Sequence, residues 1–177
     1  MDINDLVKLT SRAWALDILA AMHRGVPARQ APLLAACGAG RTAFGASLAH
    51  LIELGLLMRN PGHGHPLRPE FKLTAKGEVA AGMAAQVLDQ VREDPARALL
   101  RKRWTLPVLA QATQPVRFSD LRTGLAPVTD RALSTSLLDA EDQGWILREI
   151  DLTTRRPFPV YSAVGKGLRL GEAVFAR

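Results

Sequence analysis

The chain is short of several things, and each shortage narrows its class. There is one cysteine, Cys37, among 177 residues. No internal disulfide can form, which fits a reducing compartment. The most apolar stretch, Ala13 to Met22, is interrupted by Asp17 and is too short to span a bilayer. The opening Met1-Asp2-Ile3-Asn4-Asp5 has no positive n-region, so no signal peptide is expected. Catalytic signatures are missing as well: no nucleophile elbow, no metal-binding pattern, no carboxylate pair at a recognisable spacing. Gly38-Ala39-Gly40 lacks the Gly and Lys that would complete a phosphate loop and reads as a turn. His63-Gly64-His65 has no third ligand nearby, since Glu70 alone does not complete a site. The expectation is a cytoplasmic protein that is not an enzyme and holds no metal or cofactor.

What is present is an ample core and a positive charge. Apolar residues make up 47% of the chain, which is enough for a packed interior, and the net charge is +6. The basic residues gather in Arg101-Lys102-Arg103, in Arg155-Arg156 and in the spread Arg117, Arg122 and Arg131. None is a polybasic tail, so the charge belongs to folded surface. A polyanionic partner is favoured by that balance.

The chain also repeats itself. Trp14-Ala15-Leu16-Asp17-Ile18-Leu19-Ala20 is answered 90 residues later by Trp104-Thr105-Leu106-Pro107-Val108-Leu109-Ala110. Ser47-Leu48 and Gly55-Leu56-Leu57-Met58-Arg59 are answered 89 residues later by Ser136-Leu137 and Gly144-Trp145-Ile146-Leu147-Arg148. Phe71 and Gly77 match Tyr161 and Gly167, again 90 apart. Three collinear matches at nearly one offset point to a duplicated unit. The one-residue slip falls in a loop region, where an indel costs least.

Each half carries the same predicted elements. A first helix has an apolar stripe through Trp14, Ile18 and Met22, repeated by Trp104, Val108 and Ala112. A short second helix spans Pro32–Cys37 and Ser119–Gly124, with Ser119 a candidate N-cap. A third runs over 41–54 and 130–143, the later one capped by Thr129 with Asp130 beside the positive helix end. Gly55 and Gly144 stand where a helix stops on a left-handed residue. Two short apolar runs follow in each half: Leu56–Arg59 with Glu70–Leu73, and Trp145–Ile150 with Val160–Val164. Three helices and a strand–loop–strand make a winged helix.

An Ala-rich helix, Ala75–Val91, with Val79, Met83, Val87 and Val91 at fourfold spacing, joins the halves. A further helix opens at Asp94-Pro95 and is expected to kink or restart near Trp104 because of Pro107. A closing helix is expected from Gly167. The predicted fold is α+β, mainly α: two tandem winged helix-turn-helix domains, 1–92 and 93–177, joined by a helix in a pseudo-two-fold repeat.

The second half resembles the HxlR branch of the MarR-like winged-helix regulators. The resemblance is carried by Lys102-Arg103-Trp104-Thr105-Leu106-Pro107-Val108-Leu109 and Val116-Arg117-Phe118-Ser119-Asp120-Leu121. It continues through Leu133, Leu137 and Gly144-Trp145-Ile146-Leu147-Arg148 to Pro157-Phe158-Pro159-Val160-Tyr161 and Gly167. The first half keeps Trp14, Gly55, Arg59 and Phe71-Lys72-Leu73-Thr74-Ala75-Lys76-Gly77. It has Arg29-Gln30-Ala31-Pro32-Leu33 where the family pattern has Arg-Phe-x-Asp-Leu. The resemblance implies a transcriptional regulator that binds double-stranded DNA. Relatives are single-domain homodimers, so a tandem chain implies a covalent pseudo-dimer; a homodimer of tandem chains is the alternative. A small-molecule effector is left open.

In such a domain the third helix enters the major groove. The expected contact face of the second half is Thr129, Arg131, Ser134 and Thr135, with Arg131 reading guanine. The corresponding face of the first half offers Gly40, Thr42, Gly45 and Ala46 beside Arg41, and is poor in hydrogen-bonding groups. Wing contacts are expected from Arg155 and Arg156, and from Arg68 with Lys72 in the first half. Arg117 and Arg122 flank the second helix, where backbone phosphates usually lie. Arg101, Lys102 and Arg103 either join them or sit at a junction between the halves. Cys37 reads as a small core residue, with redox sensing the alternative. Two other functions compete: a nonspecific architectural nucleoid protein, and a tandem winged-helix module that binds proteins. Asp139, Glu141 and Asp142 at the end of the second recognition helix favour the last, because carboxylates repel phosphates.

Overall fold

The computed structural model describes residues 1–60, 70–153 and 155–176. The chain is mainly helical with small antiparallel sheets, and it divides into two compact units. One comprises Arg12–Asp89, here the first unit. The other joins Gln90–Arg177 with the N-terminal Met1–Ser11. The expected division at 92/93 thus falls close to the chain's crossing point, but the first eleven residues belong with the second unit. They form α1 (Ile3–Leu9), which has no counterpart among the predicted elements. Asp2 caps it by accepting from the Asp5 amide at 2.9 Å, and Leu6, Val7 and Leu9 are buried.

The first unit runs α2 (Ala15–His23), α3 (Gln30–Cys37), α4 (Arg41–Glu53), β1 (Leu57–Asn60), β2 (Glu70–Leu73) and α5 (Ala75–Asp89). The two strands pair antiparallel, from Leu57 opposite Leu73 to Asn60 opposite Glu70. Its core includes Ile18, Leu19, Leu33, Phe44, Leu51, Ala84 and Val87, all under 2% exposed. The interface between α2 and α5 is the most extensive in the unit. An ion pair between Arg24 and Asp89, at 2.8 Å, ties the ends of those two helices. Val79 is the one member of the α5 stripe that faces out, at 67% exposure; Met83 and Val87 are buried. Its neighbours Ala80, Ala81 and Ala84 supply the contact face instead.

The second unit continues with a 3-10 helix (Pro95–Arg101), α6 (Thr105–Gln111), β3 (Val116–Arg117), α7 (Phe118–Gly124) and α8 (Asp130–Asp142). It ends with β4 (Ile146–Asp151), β5 (Phe158–Ala163) and α9 (Gly165–Ala173). Asp94 caps the 3-10 helix from Ala96 N at 2.8 Å, and the chain restarts as α6, where Pro107 sits in the first turn without costing a hydrogen bond. The sheet order is β3-β5-β4, and the β4–β5 hairpin pairs from Ile146 opposite Ala163 to Asp151 opposite Phe158. β3 was not foreseen: two residues before a helix give no periodicity to detect. α7 is capped by the extended backbone of Arg117, not by Ser119, whose hydroxyl reaches Asp120 instead.

Both units share one order of six elements, three helices, two antiparallel strands and a helix; the second adds α1, the 3-10 helix and β3. Their junctions agree in detail. Gly55 and Gly144 close α4 and α8 with φ of 66° and 65°, a conformation that suits glycine. The amide of Thr74 reaches the Leu56 carbonyl at 3.0 Å, and that of Val164 reaches the Trp145 carbonyl at 3.0 Å. A Cβ on Gly77 would overlap the Leu56 carbonyl oxygen, and one on Gly167 that of Trp145. The helix after each hairpin can approach the preceding turn only because those positions lack a side chain. Trp14 and Trp104 sit half-buried at the N-caps of α2 and α6, not within the buried stripes; Trp145 is buried. Cys37 is buried at the end of α3.

Candidate functional site

The strongest constellation is built on α8. Thr129 starts the helix, its hydroxyl oxygen accepting from Ala132 N at 3.2 Å, and Asp130 lies in the positive first turn. Leu133, Ser136, Leu137 and Ala140 are buried and seat the helix. With period 3.6, that leaves Arg131, Ser134, Thr135 and Leu138 facing out. Arg131 is exposed, so its guanidinium can fork onto two acceptors. Thr135 donates its hydroxyl to the Arg131 carbonyl at 2.9 Å, which leaves its oxygen as an acceptor. The hydroxyl of Thr129 has given up one lone pair to the cap and keeps its proton to donate. Ser134 is exposed between them.

A second group lies at the turn end of the β4–β5 hairpin. Arg117 stacks its guanidinium 3.7 Å from the centre of the Phe158 ring. Arg117, Ser119, Arg156 and Phe158 line an open cleft of about 320 Å³ there. Arg155 and Arg156 are both exposed in the turn between the strands. Asp151 anchors that turn by accepting from Thr153, at 2.8 Å from its amide and 2.6 Å from its hydroxyl. Those two hydrogen bonds, with the more distant charge of Arg117, hold the Asp151 carboxyl below its usual range. Arg122, expected to meet backbone phosphates beside α7, is ion-paired through Nε with Asp130 at 2.5 Å. That ties the end of α7 to the start of α8.

A third group was only half read from the sequence. Lys102 and Arg103 face the same helix: Lys102 Nζ meets Asp139 at 2.7 Å, and Arg103 lies 4.6 Å from the centre of the Trp104 ring. With Thr129, Arg131 and Thr135 they line an open cleft of about 340 Å³. The run 101–103 was legible as a basic cluster; its position required knowing that α6 packs on α8.

The first unit presents less. α4 starts at Gly40, which has no side chain to cap it. Its exposed positions are Arg41, Thr42, Ala43, Ala46, Ala49 and, at the far end, Glu53, with Gly45 half-buried. Ser47 is buried and spends its hydroxyl on the Ala43 carbonyl at 2.8 Å. Arg29 stands at the start of α3 as Arg117 does at α7, but both its Nε and Nη2 are held by Glu70, at 2.9 and 2.7 Å. Lys72 is exposed on β2. Arg68 and the His63-Gly64-His65 group lie outside the described residues. Among the described residues no three acidic, His or Cys side chains gather as a metal site, and no helix is long and apolar enough to cross a membrane.

Comparisons with protein-family models, with curated proteins and with solved structures found no match.

Proposed function

We propose that the chain is a DNA-binding transcriptional regulator made of two diverged winged helix-turn-helix units, acting in the cytoplasm as a covalent pseudo-dimer. The observation that carries this is the outer face of α8. Arg131, Ser134 and Thr135 project from a helix seated by Leu133 and Leu137 and followed at once by a hairpin tipped with Arg155 and Arg156. A helix of 13 residues with such a face suits the major groove, and an arginine-tipped hairpin suits the adjacent backbone or minor groove. The HxlR-like residues of the second half support the same reading.

The test is fluorescence anisotropy of the full chain on a duplex from the promoter of its own gene beside a scrambled duplex, at several salt concentrations. A regulator should prefer the specific site by about a thousandfold or more, with a steep salt slope. Equal binding to both would favour the second reading, a nonspecific architectural protein. What favours that reading is the first unit, where α4 offers mainly alanine and glycine and Arg29 is neutralised by Glu70. Absence of binding to either duplex at low salt would point to a protein partner.

A further inference from the structure

We propose that the cleft between the Lys102-Arg103-Trp104 corner and α8 is a phosphate-binding site, and that its occupant is a phosphodiester of bound DNA. The inference rests on the functional reading above and adds a contact surface to it. Positions 131, 135 and 139 lie one turn apart along α8, so Arg131, Thr135 and Asp139 form a single row. The corner at the start of α6 faces that row across about 340 Å³ of open space.

The two ends of the cleft differ. Toward the C-terminal half of α8, Lys102 and Asp139 neutralise each other at 2.7 Å. Arg103 lines the cleft from the corner and Arg131 from α8, with Thr129 at the N-terminus of that helix. Arg103 is pre-oriented by its stacking on Trp104, so little side-chain entropy is lost when it closes on an anion. Two guanidinium groups, a hydroxyl donor and a positive helix end border the same cleft. Phosphate oxygens match that set in charge and in number of acceptors.

The shape favours a backbone phosphate over a free phosphorylated metabolite. The cleft is open along one side, whereas a small ligand needs most of its surface covered. One wall is also the helix face that would lie against base edges. The pairing with Asp139 explains why an acidic residue is tolerated near DNA: its charge is already answered by Lys102, at the end of the cleft away from Arg131.

The experiment compares the full-length chain with Arg103→Gln, Lys102→Gln and the double variant, by anisotropy on a random-sequence duplex across a salt series. The slope of log affinity against log salt should become shallower by about 0.9 for one lost phosphate contact, with sequence preference unchanged. An unchanged slope and affinity in the double variant, with the parent still binding duplex, would overturn the proposal while leaving the DNA-binding reading intact. A parent that binds no duplex would sink that reading instead. The cleft is then judged by inorganic phosphate alone, following the Trp104 indole N–H resonance against chloride at equal ionic strength. A shift that Arg103→Gln abolishes would support a free-phosphate site. No shift would overturn the proposal altogether.

Discussion

The two units share a six-element order and nearly the same junctions, yet they differ on their outward faces. Position for position, the buried framework is kept: Leu33 and Leu121, Phe44 and Leu133, Leu48 and Leu137, Gly77 and Gly167. The outward faces are not. The second unit shows Arg131, Ser134 and Thr135 where the first has Thr42, Gly45 and Ala46. Arg117 rests on an aromatic ring, while Arg29 is clamped by a carboxylate. Packing tolerates little change, because interiors are dense and glycine contacts leave no spare volume. Exposed positions carry almost no folding free energy, so they drift or specialise without cost to the fold.

The largest effect should come from testing the shared framework. Gly77→Ala and Gly167→Ala each place a methyl group on a backbone carbonyl that cannot move without unseating a helix. Each should cost ~3 kcal/mol or more in urea denaturation. A heavy loss for one and little for the other would break the equivalence of the two junctions.

Next is the comparison of the outer helix faces. Arg131→Ala should lower affinity for a specific duplex by about ten- to a hundredfold and flatten its sequence preference, while Thr42→Ala should change either by less than about twofold. Competition binding against scrambled duplex measures both. Equal losses would mean that the units share the readout.

A smaller difference is expected from the arginines at the start of α3 and α7. Arg117→Ala should make the salt slope shallower by about 0.9, and Arg29→Ala should leave it unchanged, because Glu70 already holds that charge. Should the two slopes shift together, Glu70 does not mask Arg29. Asp139→Asn, which frees Lys102, should tighten nonspecific binding by roughly threefold, the scale of one exposed ion pair; weaker binding would show that Asp139 instead holds Lys102 in place.

The smallest effect concerns Asp94, which belongs to the second unit. The hydrogen bond from Lys166, and then that from the Ala96 amide, lower its pKa below the ordinary 3.8. A depressed folded pKa stabilises the fold at pH values above the unfolded one, and the benefit fades as pH falls through the folded value. Lys166→Met should therefore lower the urea midpoint slightly at pH 7. The gap from the parent should narrow once the pH drops below about 3.8. A gap that widens in acid would contradict the assignment.

Much of this was legible from residues alone, for physical reasons that also mark its limits. Thr129 and Asp130 announce a helix start through hydrogen-bond chemistry. Gly55 and Gly144 announce helix ends through backbone sterics. The exposed face of α8 follows from where its leucines fall. Ser119 misled because a hydroxyl near a helix start resembles a cap, whereas β3 already supplies the extended entry at Arg117. The Lys102–Asp139 bridge and the Arg29–Glu70 clamp join residues 37 and 41 positions apart, beyond any local pattern. Likewise, α1 has apolar residues too few to show which helix they would seek.

That short helix has a consequence for the order in which the molecule assembles. α1 packs on α6, about a hundred residues further along the chain. The Arg12–Asp89 unit is one unbroken stretch and can close by itself, whereas the second unit needs two segments separated by that whole stretch to meet. Closing the second unit therefore carries the larger loop-closure cost. A chain cleaved near residue 90 would release a first unit that keeps all its elements and a second that has lost its opening helix.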